Sequence, residues 1–279
     1  MGSEDKLKPV KDPLLAVVRW VKSRNMKEKT GLGVAAGVVL LLLLWLVIDD
    51  HDNLFVMSET VHFAGIAVLV YKLQTRKNCA GLSLRTQELT AIFLAIRLYC
   101  SFMMEYDIHT VLDMLTLLAS LYAIYIVRFP LKATYQADLD SINLLYVVLP
   151  CMVLSIIAKP GTTHFIVHRF LWALCVYLEA VSVFPQLRMM QNSKVVERFT
   201  AHYVFALGLS RFLSCAHWVL QIIDGDSFLL TAFFRGLWPM MVLLSEIVQT
   251  FILADFCYYY IKSYVSDDTG IVRLPSGVV

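Results

Sequence analysis

Apolar positions run in blocks of about twenty residues, broken by short polar connectors, and do not follow the spacing of a half-buried helix or strand. About 20 apolar residues are needed to cross roughly 30 Å of hydrocarbon as an α-helix. The blocks predict eight membrane spans, near residues 32–48, 54–73, 87–104, 109–128, 143–158, 166–187, 201–222 and 233–262. The first, LGVAAGVVLLLLLWLVI, begins too far into the chain and lacks the small-residue cleavage pattern of a signal peptide, so it is read as a retained helix.

Composition supports the pattern: with 58% hydrophobic and 16% charged residues there is too little polar surface to coat a soluble domain of 279 residues. Charge then sets orientation. Arg76, Lys77 and Arg85, then Arg128 and Lys132, then Arg188, Lys194 and Arg198 fall on alternate connectors. The intervening connectors, DDHDN, EYDIH, KPGTTH and IDGDS, are acidic or nearly neutral. The bias of Lys and Arg towards the cytosol predicts that both termini are cytosolic. Ahead of the first span, Leu14, Leu15, Val18 and Trp20 alternate with Arg19, Lys22, Arg24, Lys27 and Lys29, which suits a helix lying on an anionic membrane face or a solvated basic tail.

Ionisable residues inside a bilayer cost about 2.5–3.5 kcal/mol each on insertion scales and usually face a cavity or a partner. Glu59, His62, Arg97, Asp113, Arg169, Glu179, His202, Arg211, His217, Glu246 and Asp255 all fall within the predicted spans. They predict one polar cavity lined by several helices. Asp113, Arg169 and His202, near span ends, are expected to reach the membrane interface. Arg97 and Arg211 lie deeper and require carboxylate or carbonyl acceptors from the protein or a ligand. Pro185 and Gln186 predict a kinked helix end, since proline frees a backbone carbonyl.

The stretch from Tyr71 aligns with the stretch from Pro185 at a spacing of 114 residues, matching Leu73 to Leu187 and Arg97 to Arg211. Two parallel three-helix repeats follow, as in transporters whose halves are related about the membrane normal. HFIVH and ETVH have helical metal-ligand spacing, but the histidines are too scattered to converge on a metal. Nucleophile elbows, phosphate-binding glycine loops and nucleic-acid signatures are absent from the sequence, which therefore predicts neither an enzyme nor a cofactor. The cysteines fall in spans or on the cytosolic side and predict free thiols.

NCAGLSLRTQ (78–87), FPLKATY (129–135), LWALCVYLEAVSVFPQL (171–187), AHYVFALGLSR (201–211) and VQTFILADFCYYYI (248–261) together resemble the ER lumen protein-retaining, or K/HDEL, receptors. The likeness is strongest to plant receptor-related proteins with an additional N-terminal helix. It implies an all-α polytopic membrane protein: a seven-helix core of two three-helix repeats plus a linking helix, similar to SWEET and PQ-loop transporters. The chain then divides into a basic cytosolic segment (1–30), an extra transmembrane helix (31–49), a receptor-like domain (53–263) and a cytosolic tail (264–279). The resemblance also implies pH-dependent capture of C-terminal HDEL/KDEL-type peptides in the Golgi and their return to the ER by coated vesicles.

By the same resemblance His62 corresponds to the pH switch, Arg97, Trp172 and Arg211 to ligand-binding residues, Glu179 to a polar core partner beside Pro185 and Gln186, and Asp255 to a recycling determinant. The sequence departs from the family pattern at Val56 or Phe55, depending on the gap, and at Cys100, Arg169, Ser210, Ser214, His217 and Gln221, and its tail, DDTGIVRLPSGVV, lacks the lysine-rich stretch. Losing one partner of a buried charged hydrogen bond costs about 2–5 kcal/mol, so these changes predict weakened or altered tetrapeptide binding. A proton-linked or small-solute transporter and a membrane scaffold are the alternative readings.

Overall fold

The computed structural model describes residues 52–104, 106–193, 198–223 and 237–266, together with positions 28, 35 and 39. The basic N-terminal segment, the expected helix over 31–49 and most of the tail lie outside the described residues. Among the described residues from 52 on, eight α-helices follow one another: α1 (Asp52–Arg76), α2 (Leu84–Met104), α3 (Ile108–Arg128), α4 (Leu144–Ile157), α5 (Ile166–Val181), α6 (Phe184–Asn192), α7 (Arg198–Ile223) and α8 (Leu237–Ser266). There is no strand among the described residues.

Among the described residues six stretches are long and apolar enough to cross a membrane, α5 and α6 counting together as Ile166–Asn192. Helix α4 has 14 residues with Pro150 inside it, so it rises about 21 Å at 1.5 Å per residue and is short of a full hydrocarbon thickness. The apolar surface of these helices faces outward. On α3 Leu118 and Tyr125 are more than half exposed, while Asp113, Thr116 and Ser120 are buried on the opposite face. That inverted amphipathicity belongs to a helix with lipid on one side and polar protein interior on the other.

The packing repeats. Helix α3 packs against both α1 and α2, and α8 packs against both α5 and α7. Across the two groups α1 lies on α7 and α2 on α5, while α4 packs on α5 as the linking helix. Two three-helix bundles with the third helix in the middle are thus joined through equivalent faces, the arrangement anticipated from the 114-residue spacing. One apolar core, including Ile66, Leu69, Val127, Val204 and Leu253, fills the contact of α1 with α3, α7 and α8. A second, including Leu89, Phe93, Ala173 and Leu178, fills that of α2 with α5.

Close approach of α1 and α7 depends on Gly65, where an added Cβ would stand 2.9 Å from the Ala206 Cβ. Small residues at such crossings let helices approach without a hydrophobic driving force. Gly65→Val is expected to destabilise the bundle by about 1–3 kcal/mol through overpacking, read as a lower apparent Tm in detergent. An unchanged melting curve would show that α1 and α7 are not held at this crossing.

Helix ends are fixed by local polar contacts. Asp107 caps α3, its Oδ1 accepting from the Thr110 N–H at 3.2 Å while its own N–H donates to Thr110 Oγ1 at 3.3 Å. At the end of α1, Lys77 takes a left-handed conformation and Gly81 follows with φ 80°, turning the chain into α2. One expectation needs correcting. Pro185 does not end its helix: the break falls at Ser182 and Val183, and Pro185 stands in the first turn of the nine-residue α6. The missing proline N–H is harmless there because first-turn amides lack helical acceptors.

Candidate functional site

Arg97 is carried on α2, with Phe93 one turn earlier under its guanidinium at 5.6 Å. It is 7% exposed and each of its nitrogens meets a carboxylate. Nε donates to Asp113 Oδ2 at 2.7 Å and Nη2 to Asp113 Oδ1, a two-pronged pairing across to α3. Nη1 donates to both oxygens of Glu179 on α5, at 3.0 and 2.9 Å. Glu179 also takes Arg211 Nη1 of α7 at 2.6 Å. One carboxylate therefore joins the arginines of the two repeats.

Glu59 of α1 extends the cluster, 3.9 Å from Arg97 Nη2 and 2.7 Å from His109 Nδ1. Beside Arg211, the Ser58 hydroxyl donates to the Ser210 carbonyl at 2.8 Å and ties α1 to α7. Pairing on this scale is what allows several ionisable groups to be buried together.

Above the cluster a cavity of about 340 Å³ reaches Arg97, Asp113 and Glu179. Trp172, Trp218 and Trp238 form much of its wall, and Phe55, Met104 and Asp107 bound it at the helix ends. Its size is that of an ordinary ligand pocket. On the other side of the Glu179–Arg211 pair is a water-sized void of about 10 Å³, lined by His62, Thr86, Thr90 and Gln249 among others.

The structure gathers Arg97, Arg211, Glu179, His62 and Trp172 around these two spaces. Pro185 and Gln186 lie elsewhere, at the opposite end of the bundle from the cavity mouth. Gln186 is fully buried; its Oε1 accepts from the Ser83 N–H at 2.8 Å, its Nε2 donates to the Gly81 carbonyl at 2.8 Å, and its N–H donates to Thr86 Oγ1 at 2.9 Å. Asp140, on the α3–α4 connector, accepts from Ser83 Oγ, the Arg85 N–H and the Tyr135 hydroxyl. Burial, followed by the bond to Asp140, pushes the Tyr135 phenol up and keeps it a donor. Cys79 is buried beside Leu131 and Thr134 in the same assembly. Asp255 lies on α8, but its side chain falls outside the described residues.

Asp113 departs from expectation. It was placed at the membrane interface, yet it is 2% exposed and clamps Arg97. Depth along the span was a poor guide because the pocket brings polar surface inward at that level. A readable signal existed in the spacing of His109, Asp113, Thr116 and Ser120 along one side of an otherwise apolar helix. His109, Trp218 and Trp238 were likewise not singled out. Aromatic residues near span ends ordinarily form an interfacial belt, so the sequence offered no reason to turn them inward.

A helical bundle of membrane-crossing length with a charged, tryptophan-walled cavity defines a polytopic membrane protein. The profile of the ER lumen protein retaining receptor family matches residues 78–221. An "ER lumen protein-retaining receptor" of Entamoeba histolytica is 32% identical over 215 residues, covering 76% of this chain and 95% of that protein. "ER lumen protein-retaining receptor A" of Arabidopsis thaliana is 35% identical over 225 residues, covering 78% and 97%. "ER lumen protein-retaining receptor erd-2.1" of Caenorhabditis elegans is 34% identical over 220 residues, covering 77% and 96%. The chain belongs to the ER lumen protein retaining receptor family. These relatives carry receptor names, and nothing in the comparisons favours the transporter reading.

Proposed function

We infer that the chain is a non-catalytic retrieval receptor, binding the C-terminal retention signal of soluble ER residents in the Golgi and travelling back with them to the ER. The observation that carries this reading is the cavity ending on Arg97, with Trp172 in its wall. A peptide's terminal carboxylate matches a guanidinium, and an indole offers a face for the side chain above it. The cavity mouth lies at the acidic 105–109 connector, whereas Arg76, Lys77, Arg128 and Lys132 lie at the other end. This charge bias supports a luminal mouth and cytosolic termini. Residues 53–263 form the receptor-like domain, flanked by a basic segment (1–30), an additional transmembrane helix (31–49) and a tail (264–279). Vesicle coat proteins are the cytosolic partners, and Asp255 serves recycling.

His62 supplies the pH response. It shares the water-sized void with Glu179 and Arg211, and Glu59 stands one turn earlier on its own helix. Arrival of an anionic ligand favours protonation of His62, which then attracts Glu179 and loosens its hold on the two arginines. An incoming carboxylate can then replace Glu179 on Arg97, so binding strengthens as pH falls. Purified protein should bind labelled peptides ending in HDEL or KDEL more tightly at pH about 5.5 than at about 7.4. The contrast should vanish in His62→Ala, and binding should vanish in Arg97→Ala. Binding of equal strength at both pH values would remove His62 as the switch; no binding of these or of any other C-terminal tetrapeptide at either pH, in folded protein, would overturn the retrieval reading.

A further inference from the structure

The cavity holds more negative than positive groups, and its arginine is already satisfied. Glu59, Asp107, Asp113, Glu179 and Glu246 all line it, against Arg97 and the imidazoles of His109 and His217. Arg97 is held by Asp113 and Glu179, and His109 is committed to Glu59. Glu246 is different. It is 6% exposed and lines the cavity from α8; its carboxylate bonds Ser214, while its Oε2 has no hydrogen-bond partner among the described residues. A buried carboxylate oxygen without a donor is a strong acceptor awaiting one. Trp218 and Trp238 line the same cavity, and indole faces attract cations.

We propose that the cavity takes a positively charged group, an ammonium or guanidinium bound by Glu246 against the indole wall, and that the signal peptide recognised here is basic where HDEL is acidic. As a statement about a peptide this rests on the retrieval reading, and it narrows which signal is retrieved. The terminal carboxylate goes to Arg97, while the side chains upstream of it meet Glu246, Glu59 and Asp107. There an aspartate or glutamate is repelled and a lysine or arginine is drawn in. The departures from the family pattern noted in the sequence then belong to a change of specificity, with Glu246 as its determinant.

The test uses full-length protein in lipid nanodiscs at one pH, with fluorescent peptides ending in HDEL, HNQL and HKKL and with n-butylguanidine as a free cation. Tightest binding by HKKL, at least about tenfold over HDEL, with the preference lost in E246Q and kept in E88Q at the opposite end of the bundle, is the expected result. The wild-type peptide series keeps the proposal falsifiable even if E246Q does not fold. HDEL binding tighter than HKKL would overturn the basic-signal proposal and leave the retrieval reading standing. Binding of n-butylguanidine that requires Glu246, with no peptide bound, would keep the cation site and sink the peptide reading. No binding of any probe by protein with an intact melting transition would overturn both.

Discussion

Glu179→Leu is expected to destabilise the protein by about 3–5 kcal/mol, the usual consequence of stranding a buried charge by removing its partner. Here the stranded charge is Arg211, which Glu179 receives, whereas Arg97 keeps its two-pronged bond to Asp113. The apparent Tm in detergent should fall on the order of 10 °C, followed with a dye that reacts with cysteines as they become exposed. Asp113→Asn should do less damage, since Arg97 keeps Glu179. Adding Arg211→Leu to Glu179→Leu should recover part of the loss, since it removes the stranded cation. If Glu179→Leu melts within a degree or two of the parent, the carboxylate is not the electrostatic keystone described above.

Gln186→Leu should have the next largest effect, and at the far end of the molecule. Leucine fills a similar volume but leaves the Ser83 N–H and the Gly81 carbonyl without their partners. Each unsatisfied buried group costs about 1–3 kcal/mol. The segment from Gly81 to Ser83 should then part from α6, exposing Cys79, which is 1% exposed in the intact protein. Maleimide labelling of Cys79, resolved by peptide mapping, should quicken most in Gln186→Leu and less in Gln186→Glu, whose carboxylate still accepts from Ser83 but cannot donate to Gly81. Equal labelling in all three proteins would mean that other contacts close this end.

The spans were legible because the membrane imposes one length on every crossing helix, and the repeat was legible because Arg97 and Arg211 recur in matching surroundings. Glu179 was recognisable as a costly residue in an apolar run. Its partners were not, since pairing depends on which helix faces which, and Asp113 lies 66 positions before Glu179 in the chain. Gln186 was visible as a polar residue after a proline, which drew attention to bending. Its use, holding the α1–α2 connector more than a hundred positions away, required the packing of α6 against α2. Asp140 offered even less, a single aspartate in a polar connector whose worth lies in meeting the N-terminus of α2.

The crossing of α1 and α7 at Gly65 and Ala206 lies near the middle of α1 and in the first half of α7. Two helices that approach most closely at one small-residue contact can tilt about it more readily than they can separate. The point of contact is then the pivot of a see-saw, whose arms end at the cavity mouth on one side and at the Gln186 assembly on the other. Spreading the arms at the cavity mouth around a bound ligand would draw the opposite arms together. Occupancy of the cavity would then reach the far end of the bundle as a change of angle.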